Sequence, residues 1–380
     1  MTRSPLLEHA YAAEAAFLAT LTGLVERESP THDKAACDAL ADHLQSLLTS
    51  AGWRVERHPR SAHGDILEAR LKGPDTGGPS TLLLTHYDTV WPIGTLERMP
   101  IKREGDVFSG PGAVDMKGGI ANAIHAVKVL AAAGVPLAGD VTLLLTSDEE
   151  TGSLDSRELI EDLAKHHDRV LVLEPGRDDG ALKTGRKGVG GYQVAFTGRS
   201  AHAGNNPSDG ASALRELSHF LLFVEDLADE VAGTTVNLTR ANGGFASNVI
   251  AEEATASVDL RVLKASEGRR IDDAVKHYQP RDERVKVSIT GGLNRPPLEL
   301  TAANAKLFEL AQSVLDDLGL DLEGAVVGGG SDGNFTSAIG VATLDGLGSV
   351  GGGPHARHEH IRVKETLERV ALLAGLLASS

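Results

Sequence analysis

The sequence predicts an α/β protein. One domain carries a mixed, mainly parallel sheet covered by helices, and a smaller sandwich of βαββαβ order interrupts it. Three observations predict this. Apolar runs such as LLLTH at 82–86 are uninterrupted, as strands buried on both faces require. Such runs alternate with helix-spaced stretches between residues 81 and 173. Past Gly185 the texture shifts to half-exposed alternation, the mark of antiparallel strands. The expected division is residues 1–186 and 297–380 for the larger domain and 187–296 for the insert.

Taken in order, residues 5–27 read as one helix, broken by Ser29-Pro30-Thr31, and 33–51 read as a second. Residues 53–60 and 65–72 are short strands, followed by a turn-rich stretch at 73–80. Thr81 to Thr85 forms a strand that runs into His86 and Asp88. Residues 90–100 read as an irregular loop and 108–112 as a turn. Residues 117–133 have helical spacing, with Ile120, Ile124, Val127 and Leu130 on one face. The strand at 141–146 ends in Ser147-Asp148-Glu149-Glu150. A helix at 156–166 leads to a strand at 169–173 that ends in Glu174. In the insert, strands at 188–198, 234–241, 255–263 and 284–290 enclose helices at 210–232 and 266–279. A helix at 301–318, a glycine loop at 328–332 opening another helix, a strand at 342–344 and a last helix from Lys364 complete the chain.

Composition narrows the function. The formal charge of −16 repels a phosphate backbone, and aromatics at 4% offer little stacking surface, so no nucleic-acid partner is expected. A single cysteine, Cys37, rules out an intramolecular disulfide and any Cys-based zinc site. No apolar stretch reaches membrane-spanning length, and the alanine-rich N-terminus is interrupted by Glu8, His9 and Glu14; no membrane partner and a cytoplasmic location are expected.

Singly, the acidic and His residues at these segment ends have ordinary readings. Asp115 can cap the helix that follows it, and Glu149 and Glu150 suit the first turn of a helix. Together they converge. His86, Asp88, Asp115, Glu149, Glu150, Glu174 and His355 all follow apolar or glycine-rich segments, on what is expected to be the C-terminal edge of one sheet. Two His and three carboxylates form a donor set for a pair of divalent ions, one carboxylate bridging. Asp88 is placed to orient His86, and one of the adjacent glutamates can bind metal while its neighbour moves a proton.

The runs LLLTHYDTV, SGPGAVDMKGGIAN, TSDEETGS, LEPG, GRSAHAG, GGGSDGNF and GGGPHARHEHI, in this order, resemble the acetylornithine deacetylase, succinyl-diaminopimelate desuccinylase and glutamate carboxypeptidase metallopeptidases. The resemblance implies a zinc-exopeptidase-like catalytic domain with two Zn²⁺, Co²⁺ or Mn²⁺ being possible substitutes. It implies His86 and Glu174 on one ion, Glu150 and His355 on the other, Asp115 bridging, and Glu149 as general base. It further implies that His202 of a lid and dimerisation domain serves the partner subunit's site in a homodimer. Asn248, Arg261, Gly329, Gly330 and Ser331 would hold the substrate, a small N-acyl amino acid or peptide. GPGAVDMKGG, GRKGVGGYQV and SDGNF with TLDGLG are most similar to the glutamate carboxypeptidase branch, which releases C-terminal glutamate from N-acylated substrates. An N-acyl-amino-acid deacylase, a dipeptidase or an inactive binding protein on the same scaffold are the alternatives. After His355 the chain departs from the family pattern, since His358 and His360 offer competing imidazoles.

Overall fold

The computed structural model describes residues 4–74 and 77–380. The first three residues of the N-terminal segment and two in the turn-rich stretch at 73–80 lie outside the described residues. The chain forms two compact units: one of Met1–Gly185, Leu300–Val326 and Ser331–Ser380, and one of Arg186–Glu299 with Val327–Gly330.

The first unit is built on a six-stranded sheet. Its strands run in the order Arg54–His58, Ile66–Leu71, Val141–Thr146, Thr81–His86, Arg169–Val172 and Ala342–Leu344. The last four are mutually parallel, and Arg54–His58 and Ile66–Leu71 add an antiparallel edge, so the sheet is mixed. Side-chain alternation divides its apolar residues between two layers. Leu82 and Leu84 pack with Leu144, Val170 and Ile160 on one face. Leu83 packs with Leu143, Leu171 and the helices Glu14–Val25, Gly118–Ala133 and Val363–Ala378 on the other. Truncating one of these leucines to alanine would cost about 2–5 kcal/mol.

Local chemistry sets the element ends. Asp33 caps Lys34–Ser50 by accepting from the Ala36 amide, and Thr301 caps Ala302–Leu318 by accepting from Asn304. The N-terminal segment is two helices, Pro5–Ala12 and Glu14–Val25, where one was expected; the chain leaves helical geometry at Ala13. A larger correction concerns residues 102–109 and 351–362. The turn expected at 108–112 contains the end of a strand, Val107–Ser109. It belongs to a four-stranded sheet with Lys102–Glu104, His360–Arg362 and Gly351–Gly352. Strands of two or three residues carry no period to read.

Three glycines keep the sheet edge tight. A Cβ at Gly119 would lie 2.1 Å from the Leu173 carbonyl oxygen, one at Gly348 would lie 2.0 Å from it, and one at Gly118 would strike the Ser349 hydroxyl. The helix start and a later loop therefore clamp the strand end that delivers Glu174. Gly119→Ala is expected to destabilise the protein by about 1–3 kcal/mol, read as a lower denaturant midpoint. Gly328→Ala, whose Cβ meets nothing within 4 Å, is the control and should stay within about 0.5 kcal/mol of wild type.

The second unit has the βαββαβ order expected. Its antiparallel strands run Thr235–Gly243, Glu253–Val262, Gly188–Thr197 and Lys286–Arg295 across the sheet. Helices Ala213–Glu225 and Ala265–Lys276 pack through Phe220, Val224, Ile271 and Val275 on Tyr192, Val194, Phe196 and Val258. Among the described residues, no helix is long and apolar enough to cross a membrane.

Candidate metal centre

The centre begins where parallel strands stop together. His86 is level with Thr146 in the register, and Leu84 with Val172, so His86, the Glu149–Thr151 turn and Glu174 emerge at one edge. Asp115 and His355 do not come from that sheet, contrary to expectation. Asp115 lies in the short irregular helical turn Ala113–Lys117, beyond Val107–Ser109. His355 lies in the loop between Gly351–Gly352 and His360–Arg362. The small sheet thus carries two of the candidate ligands up to the other three. His355 adopts a left-handed backbone, φ 59°, which non-glycine residues visit infrequently and which turns its side chain into the site.

Asp88 fixes the first imidazole. His86 Nδ1 is 3.1 Å from the Asp88 carbonyl and 3.3 Å from its Oδ1. That arrangement assigns the proton to Nδ1 and leaves Nε2 with a bare lone pair. The Asp88 carboxylate is fully buried and also accepts from Thr31 Oγ1 at 2.8 Å and from the amides of Glu149 and Glu150 at 3.4 and 3.3 Å. One carboxylate thereby positions both the imidazole and the paired glutamates.

The donor atoms form two trios that share Asp115. His86 Nε2 is 3.3 Å from Asp115 Oδ1 and 3.3 Å from Glu174 Oε1. His355 Nε2 is 3.3 Å from Asp115 Oδ2 and 3.1 Å from Glu150 Oε2. Donors about 2.0–2.1 Å from a tetrahedral ion stand about 3.3–3.4 Å apart, so these four imidazole–carboxylate separations suit donors to a shared ion. His86 Nε2 and Glu150 Oε1 are buried without a hydrogen-bond partner, which fits ligand atoms. Donor atoms of His86, Glu149 and Glu174 also lie within 4.8 Å of one another, which brings Glu149 beside the first trio. His355, not His358 or His360, faces Asp115 and Glu150; the His360 Nδ1 instead meets the His358 carbonyl.

The charge balance also fits cations. Five carboxylates (Asp88, Asp115, Glu149, Glu150 and Glu174) surround two imidazoles. Burial works against a charge on His86, yet Asp115, Asp88 and Glu174 raise its pKa well above the usual value. Contacts with Asp115 and Glu150 raise His355 to about 10. Burial raises the pKa of Asp115, but the two imidazoles overcome that and hold its carboxyl well below the usual range. A dication would replace the protons that this cluster attracts.

The substrate candidates are placed as follows. His202 is exposed, and its Nδ1 accepts from the amides of Gly204 and Asn205 at 3.2 and 3.0 Å, so Nε2 carries the proton and can donate. Arg261 pairs with Asp259 through Nε and Nη2, at 3.1 and 2.9 Å. Asn248 is exposed, and its carbonyl accepts from Ala203. The Gly329 and Gly330 carbonyls accept from Arg186 Nη1. Ser331 is fully buried with its hydroxyl donating to Asp345 at 2.6 Å, so the hydroxyl is engaged within the first unit. Thr31 and Glu359 are not among the expected site residues. The contact of Thr31 with Asp88 leaves no local sequence signal, and the spacing of Glu359 from His355 favours His355 as the ligand without giving Glu359 a role.

Comparison with known proteins places the chain among peptidases and related hydrolases. A family model described as Peptidase family M20/M25/M40 matches residues 82–379. Carboxypeptidase G2 of Pseudomonas sp. (strain RS-16) is 33% identical over 385 aligned residues, covering 98% of this chain and 91% of that protein. The succinyl-diaminopimelate desuccinylase of Leptothrix cholodnii is 30% identical, covering 91% of this chain and 94% of that protein. Among solved structures, the aminopeptidase PepT of Bacillus cereus matches with a TM-score of 0.82 at 20% identity, covering 96% of this chain and 98% of that one.

Proposed function

This chain belongs to peptidase family M20/M25/M40 and is a metallopeptidase or amidohydrolase; we propose that it uses two zinc ions to cleave the amide bond of N-acyl-glutamates, releasing the C-terminal glutamate. One observation carries the two-ion reading: the two oxygens of Asp115 each stand 3.3 Å from a different imidazole. On this reading His86 and Glu174 hold one ion, Glu150 and His355 the other, and Asp115 bridges them. When bound, the ions acidify a water and polarise the scissile carbonyl.

The chain's own groups then complete the reaction. Glu149 removes a proton from the attacking water and delivers it to the leaving amine nitrogen as the C–N bond breaks. Asp88 keeps the His86 imidazole in its ligating tautomer and holds the Glu149 amide. His202 donates Nε2–H to the oxyanion, in a homodimer where each insert serves the partner subunit's centre. Asp259 fixes the Arg261 guanidinium through Nε and Nη2, leaving the Nη1 edge for the substrate's free carboxylate, beside Asn248 and the backbone of Gly329 and Gly330.

The similarity to a desuccinylase supports one other reading, an N-acyl-amino-acid deacylase with the same metal chemistry. A panel of N-acyl-glutamates, dipeptides, acetyl-ornithine and succinyl-diaminopimelate, assayed on protein of measured metal content, separates them. Glutamate release with two zinc equivalents bound is expected. Turnover of acetyl-ornithine or succinyl-diaminopimelate with N-acyl-glutamates inert would reject the carboxypeptidase reading.

A further inference from the structure

Glu359, outside the ligand set, accepts four hydrogen bonds. It is 1% exposed and has no Lys, Arg or His within ion-pair distance among the described residues. Burial pushes this carboxyl up to about 7, and the N–H donors around it work against that shift. Its Oε2 accepts from the Gly112 amide at 2.9 Å and the Trp91 indole Nε1 at 2.8 Å. Its Oε1 accepts from the amides of Val114 at 3.0 Å and Asp115 at 3.2 Å. Each carboxyl oxygen is thus matched by two donors, and three of the four donors are the backbone that presents Asp115.

The other end of Glu359 belongs to the His355 loop. Its amide donates to the Ala356 carbonyl at 2.9 Å, and the Ala356 amide donates to Gly353 at 2.9 Å, closing the turns on either side of His355. Its carbonyl accepts from Gly110 at 3.3 Å. The next residue, His360, begins the strand paired with Val107–Ser109. The Glu359 side chain therefore ties the loop carrying His355 to the loop carrying Asp115. We propose that Glu359 is a positioning residue of the metal centre: it sets the spacing between the shared carboxylate and the second imidazole. This rests on the two-ion reading above.

The chemistry makes an isosteric test severe. All four partners are donors, so Glu359→Gln keeps the shape but turns an NH₂ group against two N–H groups. The test is titration of metal-free wild type and E359Q with Zn²⁺ and with Co²⁺, by calorimetry and by the visible spectrum of bound Co²⁺, alongside melting of the metal-free forms. E359Q is expected to bind metal about 10–100-fold more weakly, with a changed Co²⁺ spectrum, the range for residues that orient ligands. Metal affinity within about twofold of wild type, whatever happens to melting, would overturn the proposal, since a merely structural residue moves only stability. If E359Q does not fold, Trp91→Phe removes a single donor and should weaken binding in the same direction by a smaller factor; unchanged affinity there also overturns it. A wild type that binds fewer than two ions defeats the parent reading instead, so the two failures are distinct.

Discussion

Glu149→Ala is expected to lower kcat by about 10²–10⁴-fold, equivalent to about 3–5 kcal/mol of transition-state stabilisation, while bound zinc and KM stay close to wild type. The expectation follows from how the chain handles two adjacent glutamates. They open a tight turn, Glu149–Thr151, with about three residues per turn, so their side chains diverge by about 120°. Glu150 goes to His355 at 3.1 Å, and Glu149 goes toward His86 and Glu174. The Asp88 carboxylate receives both backbone amides, so truncating one side chain leaves the turn in place. Kinetics and metal analysis on the same sample decide the outcome. Loss of activity with metal retained assigns Glu149 to proton transfer. Loss of both makes it a ligand, and substantial retained hydrolysis removes it from the mechanism.

The parts of this centre differ in how they could be read beforehand. His86, Glu149, Glu150 and Glu174 were legible because each ends or follows an apolar strand of four or more residues, and parallel strands end on one edge. Asp115 and His355 were legible as residue types, but not in their origin. The sheet that delivers them has strands of two or three residues, too short for a period, and it pairs segments some 250 positions apart, such as Ile361 with Phe108. The residues that hold the ligands in place were harder still. Thr31 reaches Asp88 across 57 positions, and Glu359 reaches Gly112 across 247, so no window along the chain contains either pair. The inward turn of Ser331 reflects the buried carboxylate of Asp345, which a glycine-loop motif does not announce. The Arg261–Asp259 pair was in principle readable, since residues two apart on a strand share a face.

The shared carboxylate gives the second large effect. Asp115→Ala removes a donor from both trios at once, so it is expected to weaken both ions by more than about 100-fold and to abolish turnover, beyond the range for residues outside the ligand set. Metal removal should then no longer shift its melting temperature, whereas wild type at a metal concentration 100 times Kd gains about 2.7 kcal/mol per site from binding. Asp115→Asn is the more discriminating variant. A carboxylate offers Oδ1 to His86 and Oδ2 to His355, but an amide has one acceptor oxygen, and its NH₂ cannot ligate. The backbone of residue 115 keeps its bond to Glu359, so the loop stays in place. Asp115→Asn is therefore expected to hold one tight ion where two are expected in wild type, measured by titration of the metal-free protein. Two ions bound with wild-type affinity by the Asn variant would mean that Asp115 does not bridge, and each trio would then have to find its carboxylate elsewhere, with Glu149 beside His86 and Glu174 the nearest candidate.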